Sequence, residues 1–212
     1  MSETKSQESN NTIKNFFYLV AFIEGGAVMA CELLGAKMIA PYYGASLYVW
    51  TAVIGVTLGG LTTGYYIGGY LSAKHPNTKL LFLILLISAL FMGIMPMTSS
   101  GIMEATLSME IRTGSTISCL VFLFPPLVCF GMVSPMIIRL ITTNVKKVGR
   151  FAGNVYAIST VGGILATFLF GFYVIPYLGL RFGAYSTATT LGLMSLVFYF
   201  VTQKSSLVPA DN

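Results

Sequence analysis

The chain has 212 residues, 55% of them hydrophobic and 9% charged, with a mean hydropathy of +0.79 and a net charge of +5. A soluble domain of this length carries roughly a quarter charged residues, so the composition excludes a water-soluble globular fold and predicts an all-α membrane protein. The polar stretches between apolar segments are all short, which leaves no room for a soluble nucleotide-binding domain or a phosphate-cradling loop; chemistry is expected between helices or on a separate partner.

Residues 1–15 form the expected polar cytoplasmic N-terminal tail. No small-residue cleavage site follows a short apolar core there, so no cleavable signal peptide is expected. A helix needs about 20 apolar residues to cross a bilayer. Segments 16–40, 46–73, 80–98, 115–141, 151–176 and 182–202 meet that requirement, which predicts a six-helix transmembrane domain over 16–203 and a cytoplasmic C-terminal tail at 204–212.

The first span carries Glu24 and Glu32. A carboxylate at the centre of the hydrocarbon layer costs about 3 kcal/mol on insertion scales, so such residues face a protein interior or a watery cavity. The two are eight residues apart, about 80° around a helix and about 12 Å along it. They could line one side of a cavity at two depths and hold the two ends of a flexible diamine. The alternative is internal pairing with Lys37 in the same span or Arg139 in the fourth, although Arg139 could equally snorkel to the inner surface. Tyr42, Tyr43, Tyr48 and Trp50 cluster near the outer end, either as an interfacial aromatic belt or as an aromatic box for a cation.

The second span holds Gly60-xxx-Gly64-xxx-Gly68, a ridge that lets another helix approach backbone to backbone, within the chain or across a homodimer. The fifth repeats the idea with Gly162, Gly163, Ala166 and Thr167. Pro125 and Pro126 fall near the middle of the fourth span, with Pro135 further on. Each removes a backbone donor and clashes with the preceding turn, which predicts a broken helix, either a kinked structural element or part of a transport path. Cys31, Cys119 and Cys129 read as small buried residues, and His75 is the only histidine, so no metal site is expected.

Orientation follows from the distribution of Lys and Arg. With the N-terminus inside, Lys5, Lys14, Lys74, Lys79, Lys146, Lys147, Arg150 and Lys204 are cytoplasmic, leaving only Arg112 and Arg181 outside. Both termini are therefore expected in the cytoplasm, and the positive charge is a topology signal that does not point to nucleic acid. A shift of 107 residues lays spans one to three on four to six, with Gly55, Gly64, Tyr66 and Tyr70 falling on Gly162, Gly171, Tyr173 and Tyr177. With three spans per unit the halves would insert in opposite directions, as in transporters built from inverted repeats.

The stretch from Glu32 to Trp50 (ELLGAKMIAPYYGASLYVW) resembles the opening of the membrane half of spermidine-synthase-like membrane proteins. So do Gly64-Tyr-Tyr-Ile-Gly68-Gly69, Pro125-Pro126 through Pro135, and Gly153-Asn154-Val-Tyr156-Ala-Ile-Ser-Thr160. The resemblance covers nearly the whole chain from Phe16 to Gln203. It implies a bundle resembling half of a major-facilitator transporter, which in that family usually precedes a cytosolic aminopropyltransferase domain. No such domain is expected here, so the resemblance implies a stand-alone membrane partner and no enzyme activity in this polypeptide. Lys37 stands where the family usually has arginine. Tyr70 and Ala73 replace the arginine and aspartate usual after the second span, which removes a charge-gated loop.

These readings converge on a small cation, a polyamine or its precursor, bound or transported alongside a separate aminopropyltransferase in a bacterial inner (plasma) membrane. The alternative is a non-transporting anchor for that enzyme. Glu24, Glu32, Tyr43, Trp50, Asn154 and Tyr156 are the candidate ligand-binding residues. Lys37, Arg139, Pro125, Pro126, Gly60, Gly64 and Gly68 are structural or gating candidates. No catalytic residue and no cofactor are expected.

Overall fold

The computed structural model describes residues 2–142 and 145–204, with side chains described outside 2–12, 145, 198 and 201–204. The expected C-terminal tail lies outside the described residues from position 205 onward. The elements in order are α1 (Ser2–Tyr43), α2 (Leu47–Lys74), α3 (Thr78–Thr106), α4 (Ile111–Phe122), α5 (Phe124–Ile141), a 3-10 turn (Val145–Lys147), α6 (Val148–Leu169), a π-helical segment (Phe170–Leu178) and α7 (Gly179–Lys204). Five helical stretches are long and apolar enough to cross a membrane, and α4 is a shorter apolar helix.

Local chemistry sets the boundaries. Ser46 caps α2, its Oγ accepting the Val49 N–H, and Asn77 caps α3 by accepting the Lys79 N–H at 2.9 Å. The turn between α1 and α2 passes through Gly44 at φ +76°. The third span outruns its expected limits, because helix continues past Pro96 to Thr106 and buries Met103 and Thr106. The expected loop over Ser99–Gly114 therefore shrinks to Leu107–Glu110. The fourth span breaks at Leu123 into α4 and α5, with Pro125 and Pro126 in the first turn of α5, where their missing N–H groups leave the Val121 and Phe122 carbonyls without the usual helical donors.

The longest apolar stretch, Val148–Val197, folds back on itself. Around Gly171 and Pro176 the helix widens to π geometry, and Gly179 at φ +83° then reverses the chain. That backbone conformation is one L side chains rarely adopt. The reversal sets Gly183 against Val174 and Phe170, so α7 packs back on the π-helical segment and not on α6 itself.

The helices associate as three principal pairs, α1 with α6, α2 with α5 and α3 with α7. Lipid tails are as apolar as leucine, so membrane helices gain little by hiding apolar surface and rely on close packing. In the α2–α5 pair the predicted glycine ridge supplies it. A methyl placed on Gly64 would fall on the Val128 carbonyl and 2.7 Å from Gly131 Cα, one on Gly60 would lie 2.8 Å from Leu127 Cβ, and one on Gly68 2.6 Å from Met132 Cα. The ridge is thus occupied within the chain. In the α1–α6 pair, Gly25 meets the Ser159 carbonyl and Gly162 meets the Phe22 carbonyl. The third pair is joined by side chains: Ser195 Oγ donates to the Phe82 carbonyl at 3.0 Å, and the Phe82 and Tyr199 rings lie 5.0 Å apart. Large apolar residues such as Leu58, Leu90, Leu165, Phe172 and Leu193 cover the outside, a surface suited to lipid.

Gly64→Ala is expected to destabilise the purified protein by about 1–3 kcal/mol through overpacking. Gly55→Ala, at a glycine with nothing within 4 Å, is expected to stay within about 0.5 kcal/mol of wild type. Thermal unfolding in detergent, read by loss of monodisperse protein, compares the two; equal behaviour would show that the α2–α5 seam is not closed.

Candidate functional site

Glu24 lies near the middle of α1, one residue before the glycine that lets α6 approach. That adjacency buries its side chain to 3% exposure and brings Ser159 of α6 alongside, whose Oγ donates to Glu24 Oε2 at 3.3 Å. Beside the carboxyl is a cavity of about 230 Å³, lined on α1 by Glu24, Val28 and Met29, on α2 by Tyr65, and on α6 by residues including Ser159, Thr160 and Thr167. This is well above the space one water molecule requires. The Tyr65 ring meets Tyr156 edge-on, with centroids 6.4 Å apart and planes at 84°.

The hydrogen-bond directions give the cavity its character. Thr160 Oγ1 donates to the Tyr156 carbonyl at 2.8 Å and Thr167 Oγ1 to the Gly163 carbonyl at 2.9 Å. Their protons are committed to backbone, so towards the cavity they offer lone pairs. No Lys, Arg or His is among the lining residues, and neither Glu24 nor Glu32 forms an ion pair with a described residue. A carboxyl so placed is stable as the protonated acid or against a cation that enters the cavity.

On the other side of the α1–α6 contact is a larger cavity of about 410 Å³, with walls that include Phe22, Ala30, Leu169, Phe170 and Val174. Ser186, Thr187 and Thr190 also face it, but each donates to a carbonyl within α7. Its character is apolar.

The remaining sequence candidates fall elsewhere. Glu32 is half-buried and lines neither cavity. Lys37 and Arg139 are exposed, and the internal pairing of either with a glutamate does not form among the described residues. Tyr43 is buried and donates to Thr106 Oγ1 at 2.7 Å, which in turn lies 2.7 Å from Ser118 Oγ, so it ties α1 to α3 and α4. Trp50 and Asn154 are exposed. Tyr48 is covered by the Arg112 guanidinium, 4.7 Å from its ring centroid. Of the candidate ligand residues, the structure brings Glu24 into the cavity wall and Tyr156 next to it.

Sequence reasoning missed Tyr65, Ser159, Thr160, Thr167 and Met29 as companions of Glu24. A signal existed for some of them. Ser159 and Thr160 stand one turn before Gly162-Gly163 on α6, and hydroxyls next to a close-approach surface are well placed to meet a polar group on the facing helix. Nothing in the sequence said that this helix would be α1.

No protein-family model, curated protein or solved structure matches the chain.

Tyr43→Phe removes one buried hydrogen bond while keeping the ring, and is expected to cost about 1 kcal/mol of stability. Thermal unfolding in detergent checks it; a variant as stable as wild type would show that the Tyr43–Thr106 hydrogen bond does not tie α1 to α3.

Proposed function

We propose that this chain is an integral membrane protein that binds and moves a small organic cation through its helix bundle, with Glu24 as the group that meets the cation. The observation carrying this reading is a carboxyl, almost wholly buried, whose described partner is a serine hydroxyl and which lines a cavity free of basic residues. An acid kept only for structure would stand protonated or against a fixed cation, whereas this one has no fixed cation among the lining residues and borders space that a ligand can fill. The resemblance to spermidine-synthase-like membrane proteins supports a polyamine or precursor as the cargo and a separate aminopropyltransferase as the enzyme served.

Two further features support a transporter-like architecture. The Lys and Arg distribution supports cytoplasmic termini. The three helix pairs map onto themselves when the first three spans are exchanged with the last three, which supports two inverted halves. This support is at the level of whole helices; the 107-residue register draws none from the glycines, since Gly64 is closed against α5 while Gly171 has nothing within 4 Å. The anchoring reading draws on the exposed Lys147 and Arg150 at the start of α6, where a soluble enzyme with an acidic surface could dock.

Uptake of a radiolabelled diamine into proteoliposomes tests the first reading. Glu24→Gln is expected to slow uptake at least about tenfold, the loss of a charge-assisted contact of the usual strength. Uptake equal to that of empty vesicles would leave the anchor, which co-purification with an aminopropyltransferase would then support; an unchanged rate in Glu24→Gln would remove Glu24 as the group that meets the cation.

A further inference from the structure

We propose that the Glu24 cavity recognises a single alkylammonium head, with the ring of Tyr65 as the wall that sets its specificity. This rests on the reading of Glu24 as a cation-binding group and narrows it. In sequence, two carboxylates on one helix suggest a clamp for the two ends of a diamine. The structure places the second one elsewhere. Because α1 is continuous from Ser2 to Tyr43, Glu32 stands about 12 Å further along and is turned about 80° away, and it lines neither cavity. One carboxyl, therefore one ammonium group, is what this pocket can neutralise.

The rest of the lining fits such a head better than a metal ion. An ammonium N–H donates, and the cavity offers acceptors: the Glu24 carboxylate, and the lone pairs of Thr160 and Thr167, whose protons go to the Tyr156 and Gly163 carbonyls. Tyr65 adds a π surface, which attracts ammonium groups carrying weakly hydrated alkyl stems, and its edge-to-face contact with Tyr156 fixes its orientation. Val28, Met29 and Ile164 complete an apolar wall along which a short alkyl stem can lie. Hard divalent cations instead demand six or more oxygen ligands, and the described residues contain no group of three or more His, Cys, Asp or Glu side chains able to hold a metal. The three helices contribute distinct parts: α1 the charge, α6 the acceptors and α2 the aromatic face. Neither the candidate residues read from sequence nor the polyamine resemblance singles out Tyr65.

Isothermal calorimetry on the full chain in nanodiscs, with n-butylammonium, 1,4-diaminobutane and sodium chloride as probes, tests the inference. The monoamine and the diamine are expected to bind within about threefold of each other, with no saturable sodium binding, because the second amine finds no carboxylate in the pocket. Tyr65→Leu is expected to weaken butylammonium binding about five- to thirtyfold and Tyr65→Phe to retain it, since the π face is what the cation uses. Gel filtration confirms that each variant is folded, and the Phe variant keeps the test valid if the Leu variant is not. A diamine preference above about tenfold that disappears in Glu32→Gln would overturn the single-head assignment. Unchanged binding in Tyr65→Leu, with binding lost in Glu24→Gln, would overturn the aromatic wall and leave the Glu24 reading standing. Absence of any amine binding, or binding unaffected by Glu24→Gln, would remove the underlying reading itself.

Discussion

Backbone-to-backbone contact at glycine is the constraint on which this bundle depends. In lipid the ordinary reason for helices to associate is missing, and dispersion between closely approaching surfaces takes its place. Two of the three helix pairs meet this demand with residues that have no side chain to interpose. Gly60, Gly64, Gly68 and Gly131 join α2 to α5, and Gly25, Gly26, Gly162 and Gly163 join α1 to α6. The third pair, α3 with α7, has only Gly93 near Ala188 and relies on ring contact and the Ser195–Phe82 hydrogen bond.

The candidate site is a product of the α1–α6 seam. Glu24 is the residue before Gly25, so the contact that lets α6 close on α1 also encloses the carboxyl and sets Ser159 beside it. The remaining wall comes from Tyr65 of α2, whose ring meets Tyr156 of α6. The cavity therefore draws on both glycine-closed pairs, through α1 and α6 of one and α2 of the other. Its polar walls are supplied by α1 and α6, and its aromatic wall by α2.

The same seam has an apolar side. There the π segment and the turn at Gly179 lead into α7, which stands apart from α6 and leaves the 410 Å³ space between α6, α7 and α1. Hydroxyl groups at its edge bond back to their own helix, so they add no polar demand. The two cavities thus differ in chemistry although one pair of helices separates them, because successive residues of a helix point to different sides: Glu24 and Gly25 line one, Ile23 and Gly26 the other.

Much of the architecture was legible in the sequence because solvent dictates it. Long apolar runs must become helices in a bilayer, since backbone groups there find partners only within the segment. The proline pair marked the break in the fourth span, and the glycine ridge marked a helix-packing surface, since both are local effects of missing atoms. The third span's extension to Thr106 was less legible, because burial of Met103 and the Tyr43–Thr106–Ser118 hydrogen bonds hold polar sequence in a helix that composition alone would end earlier.

Glu24 was visible as a carboxyl in a span, but its distinction from Glu32 was not. Both stand in the same helix with similar neighbours, and only the identity of the facing helix separates a cavity wall from a half-buried flank. Tyr65 and Ser159 are likewise ordinary residues of their own helices until α2 and α6 are brought against α1. The sequence by itself determined which segments are helical and where two helices could touch. Which helices meet, and so which of two similar acids faces a cavity, was decided by long-range packing, for which a period of 3.6 residues along a single chain carries no record.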